Sequence, residues 1–277
     1  MQNYHRHSSY SNIYTPDSAV MNEDYAKRAV ELGHKIISSV EHGWQGYYYQ
    51  TFELAKKYNL KFVFGAEAYW VKDRFEKDKT NCHIILLAKN ENGRRAINEI
   101  LSEANETGYY FRPRLDIDLL LSLPANDVFV SSACIAFWKY EEIEDIILQL
   151  KAHFKNNFML EIQYHATSSQ IALNKRIKKL ALENNIQMIV GLDSHYIYPE
   201  QSNDRQNLLE ANKVFYEDEN GWFMDYPDDD TIMQRFLNQG VFSREEIQKA
   251  MDNTDICLTF DDIVLSDDIK LPTIFPD

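Results

Sequence analysis

Cysteine is scarce in this chain of 277 residues. Cys82, Cys134 and Cys257 are odd in number, far apart and in no CxxC pair, which argues against a disulfide framework and fits a reducing, cytoplasmic setting. No apolar run approaches the roughly 18 residues of a membrane span, and the opening MQNYHRHSSY is polar from the start, so neither a signal peptide nor an anchor is expected. Neither GxGxxG nor GxxxxGK[ST] occurs, so the usual nucleotide-cradling loops are absent. Basic residues are in deficit, 29 against 43 acidic ones, for a net charge of −14. Spread evenly, that field would repel nucleic acid. It is not spread evenly: residues 199–277 hold 6 basic and 19 acidic residues, a net of −13, whereas residues 1–198 hold 23 and 24, a net of −1.

What is present is an ordinary globular composition, 44% apolar and 13% aromatic, at a length near the limit for one hydrophobic core. Short apolar runs recur at IISSV (36–40), KFVFGA (61–66), HIILLA (83–88), VFVSSA (128–133), FMLEI (158–162) and MIVGL (188–192). Between them lie helical spacings such as Ile97, Ile100, Leu101, Ala104 and Ile143, Ile146, Ile147, Leu150, Phe154. Strand-then-helix repetition with strands apolar on both faces predicts a mostly parallel sheet covered by helices. A closed or nearly closed α/β barrel is the first expectation and an open doubly wound sheet the second.

Metal-binding side chains gather at the ends of these runs. His5 and His7 flank Arg6, and in an extended segment such a pair shares one face and can hold one ion; taken alone, two partly exposed imidazoles are the commoner outcome. Glu41-His42-Gly43 follows the first run and Glu67 lies just past the second, where barrel loops open on the catalytic face. His83 opens its run and so stands at the wrong end for that rule. Cys134 follows VFVSSA, and Asp193-Ser194-His195 follows MIVGL, repeating the same-face spacing. A thiol in an apolar stretch is often a small core residue. Taken together, imidazoles, carboxylates and one thiol predict a site for zinc, manganese or iron, not an all-oxygen calcium cage.

With these residues in view, the sequence resembles the PHP (polymerase and histidinol phosphatase) family, in the branch that forms the N-terminal domain of the alpha subunit of bacterial replicative DNA polymerase III. The resemblance is carried by HRHSSYS (5–11), EHG (41–43), GAE (65–67), NCHIILLAKNENGRRAINEILSEAN (81–105), GYYFRPRLD (108–116), SSACI (131–135) and GLDSHYIYPE (191–200). MDNTDICLTF (251–260) and IKLPTIFPD (269–277) are similar to the connection toward the polymerase palm, although no palm-like segment follows. Where the family usually has Asp, this chain has Glu41.

The resemblance implies a distorted (β/α)7 TIM-like barrel, placed over residues 1–198; beyond it, residues 199–277 read from their own composition as an acidic, mostly helical segment. It implies two or three divalent ions: one on His5, His7, Glu67 and Asp193, a second sharing Glu67 and adding His83 and Cys134, a third on Asp17, His42 and His195. It further implies a metal-dependent phosphoesterase using a metal-bound water held by Glu67, Asp193 and His83, acting as a 3′-to-5′ exonuclease in DNA replication and proofreading. The alternatives are a phosphatase for a small monoester and a non-catalytic replication module. Arg112 and Arg114, beside Tyr109, Tyr110 and Phe111, are the candidate substrate-binding residues, able to hold phosphates and stack bases of a single strand; a structural loop covering the barrel is the competing reading. Lys72, Arg74, Lys77 and Lys79 alternate with Asp73, Glu76 and Asp78 and read as a solvated loop. Expected partners are the 3′ end of single-stranded DNA and, through the acidic segment, replication proteins, with no membrane involved.

Overall fold

A computed structural model describes residues 1–80, 82–216, 221–266 and 268. The palm-connection resemblance over 269–277 lies outside the described residues. Eight strands form one sheet: β1 (Ile36–Ser39), β2 (Lys61–Trp70), β3 (Cys82–Ala88), β4 (Tyr109–Tyr110), β5 (Arg112–Leu115), β6 (Val128–Ser131), β7 (Phe158–Ile162) and β8 (Gln187–Val190). The helices are α1 (Asn22–Glu31), α2 (Tyr48–Tyr58), α3 (Glu91–Thr107), α4 (Ile117–Ser122), α5 (Ile143–Phe154), α6 (Ser168–Glu183), α7 (Ser202–Ala211), α8 (Asp229–Gln239) and α9 (Arg244–Asp252). Their starts carry the expected caps: Asn90 accepts from the Gly93 N–H at 2.9 Å, and Ser243 and Glu246 form a reciprocal capping box.

The strand order is β4-β5-β2-β3-β6-β7-β8, with β1 also on β2. β2 is long enough to take β1 along Lys61–Phe64 and β5 at Tyr69–Trp70, both parallel. The β6–β7 and β7–β8 pairs are parallel as well. β3 departs from the mostly parallel expectation, running antiparallel to both β2 and β6. Among the described residues β1 and β8 each pair with one strand, so the sheet curls without closing its ladder. An isolated bridge between Arg6 and Ser194 ties the N-terminal segment to the chain beyond β8.

Strand parity divides the core in two. Phe62, Phe64, Ala66, Ile84, Leu86, Val128, Val130, Leu160 and Ile162 face outward into a large cluster with the helices. The alternate residues, Val63, Ile85, Leu87, Phe129, Met159 and Ile189, fill the concave face together with Tyr4, Cys257 and Phe260. Residues beyond 198 pack into both clusters: Ile232, Phe236, Ile247 and Met251 of α8 and α9 join the outer one. The inner packing thins toward the end of the sheet at which Glu67, His83 and Asp193 lie, and polar side chains replace it there. Among the described residues no helix is long and apolar enough to cross a membrane.

Candidate metal centre

The bridge between Arg6 and Ser194 brings two spaced pairs together. The His7 N–H donates to the Ser194 carbonyl at 2.8 Å, and because alternate residues of an extended segment share a face, His5 and His7 come beside Asp193 and His195. Arg6, pointing the other way, is buried, donates to Asn22 and the Ser38 carbonyl, and lies over the Tyr25 ring. A second bridge joins His42 to Glu67, fixed by the Gly43 N–H donating to the Glu67 carbonyl at 2.7 Å.

Two carboxylates sit at the centre of five imidazoles. Glu67 Oε1 is 3.3 Å from His5 Nε2 and 3.1 Å from His83 Nδ1, while Oε2 is 3.4 Å from His7 Nε2 and 2.5 Å from His42 Nδ1. Asp193 Oδ1 is 3.3 Å from both His5 Nε2 and His7 Nε2 and 3.7 Å from His195 Nδ1. Asp17 Oδ2 reaches His195 Nε2 at 3.3 Å, and Cys134 Sγ is 3.6 Å from His83 Nδ1. All nine expected ligands therefore lie in one chain of contacts. The antiparallel direction of β3 accounts for His83: its first turn of strand pairs with the end of β2, Tyr69 opposite His83, so the beginning of one strand meets the end of the other.

The compact triads group these residues somewhat differently from the expected sets. His5, His7 and Asp193 form one, as in the expected first set. His42 joins Glu67 and His83 in another, and joins His7 and His195 in a third. Asp17 stands at the edge of the last, with one oxygen taken by Arg205 Nε at 2.8 Å.

Burial opposes ionising Glu67, yet His83, His42 and His7 hold its carboxyl well below the usual range. The same holds for Asp193, against burial, through His5, His7 and His195. Burial and the neighbouring His42 keep His7 neutral, with a lone pair to offer. Burial, Asp193 and Glu67 push the Cys134 thiol well up, so it stays protonated unless a cation offsets that field. His5 Nε2, His7 Nε2, His42 Nδ1, His195 Nε2, both Glu67 oxygens and Asp193 Oδ1 are buried and, among the described residues, make no hydrogen bond, their short contacts being with other members of the cluster. Buried polar atoms are rarely left so, and a mixed N, O and S set converging on one point fits divalent transition metals.

Two further carboxylates support the ligands: Glu161, not singled out in the sequence, and Glu41, named there only within Glu41-His42-Gly43 and as a departure from the family's Asp. Glu161 holds His5 Nδ1 at 2.9 Å and accepts from the Tyr4 hydroxyl at 2.7 Å, turning His5 Nε2 toward Glu67 and Asp193. A lone Glu in the apolar run FMLEI was the available signal. Glu41 accepts from the Ser8 hydroxyl at 2.6 Å and the Ser11 hydroxyl at 2.5 Å, fastening the loop that carries His5 and His7.

A cavity of about 570 Å³ opens over the cluster, lined by Asp17, His42, His83, Asp193, Tyr69 and Arg112 among others. Arg112 donates to Thr15 Oγ1 at 2.7 Å and lies over the Tyr69 ring. Arg114 is not among the residues lining that cavity. Its guanidinium is buried and donates to the carbonyls of Gly108, Glu76, Asp78 and Arg74 at 2.7–2.9 Å, which uses its donors to hold loops.

The PHP domain family model matches residues 3–165. The DNA polymerase III subunit alpha of Borreliella burgdorferi is 31% identical over 212 residues, 72% of this chain and 18% of that protein. That of Aquifex aeolicus is 25% identical over 240 residues, 79% and 20% respectively. The chain thus spans about a fifth of the length of the curated relatives it matches. Among solved structures, an amidohydrolase from Chromobacterium violaceum gives a TM-score of 0.48 at 13% identity, covering 70% of this chain and 87% of that one.

Proposed function

The chain belongs to the PHP domain family, and on that premise we propose that its buried cluster hydrolyses phosphodiester bonds, as a 3′-to-5′ exonuclease on single-stranded DNA connected with replication. The observation that supports this most is the set of seven buried atoms on four imidazoles and two carboxylates that make no hydrogen bond among the described residues and are held against other members of the cluster. His5, His7, Glu67 and Asp193 would hold one divalent ion, Glu67, His83 and Cys134 a second, and Asp17, His42 and His195 a third, with zinc, manganese or iron as candidates. When bound, such ions supply Lewis acidity toward a phosphate oxygen and toward an attacking water.

The chain's own residues do the rest. Glu67 and Asp193 hold negative charge at fixed atoms, and Glu161 fixes the orientation of His5. Arg112 stands at the cavity wall where a phosphate would enter. Cys134 is a ligand in this reading and not a nucleophile: burial, Asp193 and Glu67 hold its thiol protonated until a bound cation offsets them, and that cation would then be its partner. The bridge between Arg6 and Ser194 would mark the seam of a distorted (β/α)7 barrel, and the acidic residues beyond 198 would meet replication proteins. The metal-loaded protein should shorten 3′-labelled single-stranded DNA and leave p-nitrophenyl phosphate largely intact. His83→Ala and Asp193→Asn should each abolish the shortening. Rapid hydrolysis of the monoester alone would favour a small-molecule phosphatase, and hydrolysis of neither would defeat both enzymatic readings.

A further inference from the structure

Phe111 occupies an unusual position. Tyr110 and Arg112 pair directly across the β4–β5 hairpin, so Phe111 alone makes the turn, at φ +62°. Bulky side chains avoid that region, and strain of this kind persists where the surroundings impose it, often at ligand sites. Phe111 is 64% exposed, so burial of its ring offers little compensation, and Gly or Asn would make the turn at lower cost. Lys79 Nζ lies 5.0 Å from its ring centroid. Together with Thr80, Tyr110, Arg112 and Arg114, these two residues line a second cavity of about 290 Å³, and Arg112 also lines the cavity over the metal ligands.

Resting on the phosphodiesterase reading, we propose that this second cavity is a nucleotide subsite in which a base of single-stranded DNA stacks on Phe111 while Lys79 and Arg112 meet the backbone phosphates leading to the metal centre. The chemistry matches on three counts. The volume is close to the lower end of ligand pockets. An exposed aromatic face beside cations is how sequence-tolerant single-strand binding is built. The cations are local, in a part of the chain (residues 1–198) whose net charge is only −1, so no strong negative field opposes a polyanion there.

The test compares binding of fluorescein-labelled octathymidylate with that of an abasic octamer of the same backbone, both as phosphorothioates to resist cleavage, by fluorescence anisotropy on the metal-loaded protein. The natural chain should prefer the base-bearing oligomer about tenfold. Phe111→Gly removes the ring and suits the positive φ; it should erase that preference without lowering the melting temperature. Lys79→Gln should reduce the slope of log affinity against log salt by about one contact. Equal binding of the two oligomers by the natural chain, no binding of either at low salt, or a preference that survives in Phe111→Gly would overturn the subsite. A base preference lost in Phe111→Gly, in a protein that never shortens unmodified octathymidylate, would sink the hydrolase reading and leave the subsite standing; shortening without base preference would do the reverse.

Discussion

At the scale of single residues, the centre depends on groups that touch no ligand atom of their own. Glu161 fixes the tautomer and tilt of His5, and such partners typically contribute 10–100-fold to metal affinity. Glu161→Gln should weaken metal binding by about that factor, measured by competition with a chromogenic chelator; unaltered affinity would remove Glu161 from the centre. Gly191 is there for the same carboxylate, since a Cβ on it would fall 2.0 Å from Glu161 Cδ. Gly191→Ala should cost about 1–3 kcal/mol in urea unfolding through overpacking, besides loosening metal.

His165 gives the pH dependence a sign. Burial lowers it to about 4; its Nδ1 accepts the Phe223 N–H at 3.1 Å and its Nε2 lies 3.1 Å from Gln163 Oε1, so the neutral ring is satisfied. The unfolded chain takes up a proton below an ordinary value of about 6.5 and the folded chain does not. The stability tied to His165 is therefore complete above 6.5 and drains away as the pH falls toward 4, about 2 kcal/mol of it between pH 7 and pH 5. Urea titrations at those two values should show a smaller drop for His165→Gln than for the natural chain; identical drops would refute the assignment.

At the scale of elements, the apolar runs marked six of the eight strands, and the spaced pairs His5/His7 and Asp193/His195 were readable because a same-face spacing of two needs only extended backbone. The direction of β3 was not read, although the signal existed. A parallel crossover needs a connection of a dozen or more residues, usually helical, and residues 71–80, rich in alternating charge, carry no helical spacing. The β4–β5 hairpin was hidden because its strands are two and four residues long, too short for periodicity to register. The loop-holding role of Arg114 was hidden for a related reason. Its carbonyl partners come from a loop and a helix end that only the folded chain brings together. The supporting roles of Glu41 and Glu161 were hidden because buried carboxylates look like ordinary ones until their partners are known.

At the scale of the whole molecule, the bulk charge of −14 says little about the site. The acidic residues cluster beyond 198, where Asp228 and Ser243 cap α8 and α9 and the apolar faces of those helices join the common core. Metal loading should be felt by that whole body. At about a hundredfold excess over the dissociation constant, binding adds roughly 2.7 kcal/mol, so returning zinc or manganese to chelator-treated protein should raise its melting temperature by on the order of 5–10 °C. An unshifted transition in scanning calorimetry would count against a folded-state metal centre.

The pairing of Arg6 with Ser194 also has a temporal side. His5 and His7 leave the ribosome nearly two hundred residues before Asp193 and His195. At about 5–20 residues per second, that leaves roughly 10–40 s in which the two imidazoles stand without Asp193, Glu67 joining them after about the first third of it. An ion bound during that interval would rest on part of the set only, so the full combination of ligands that distinguishes one metal from another forms once Asp193 and His195 arrive.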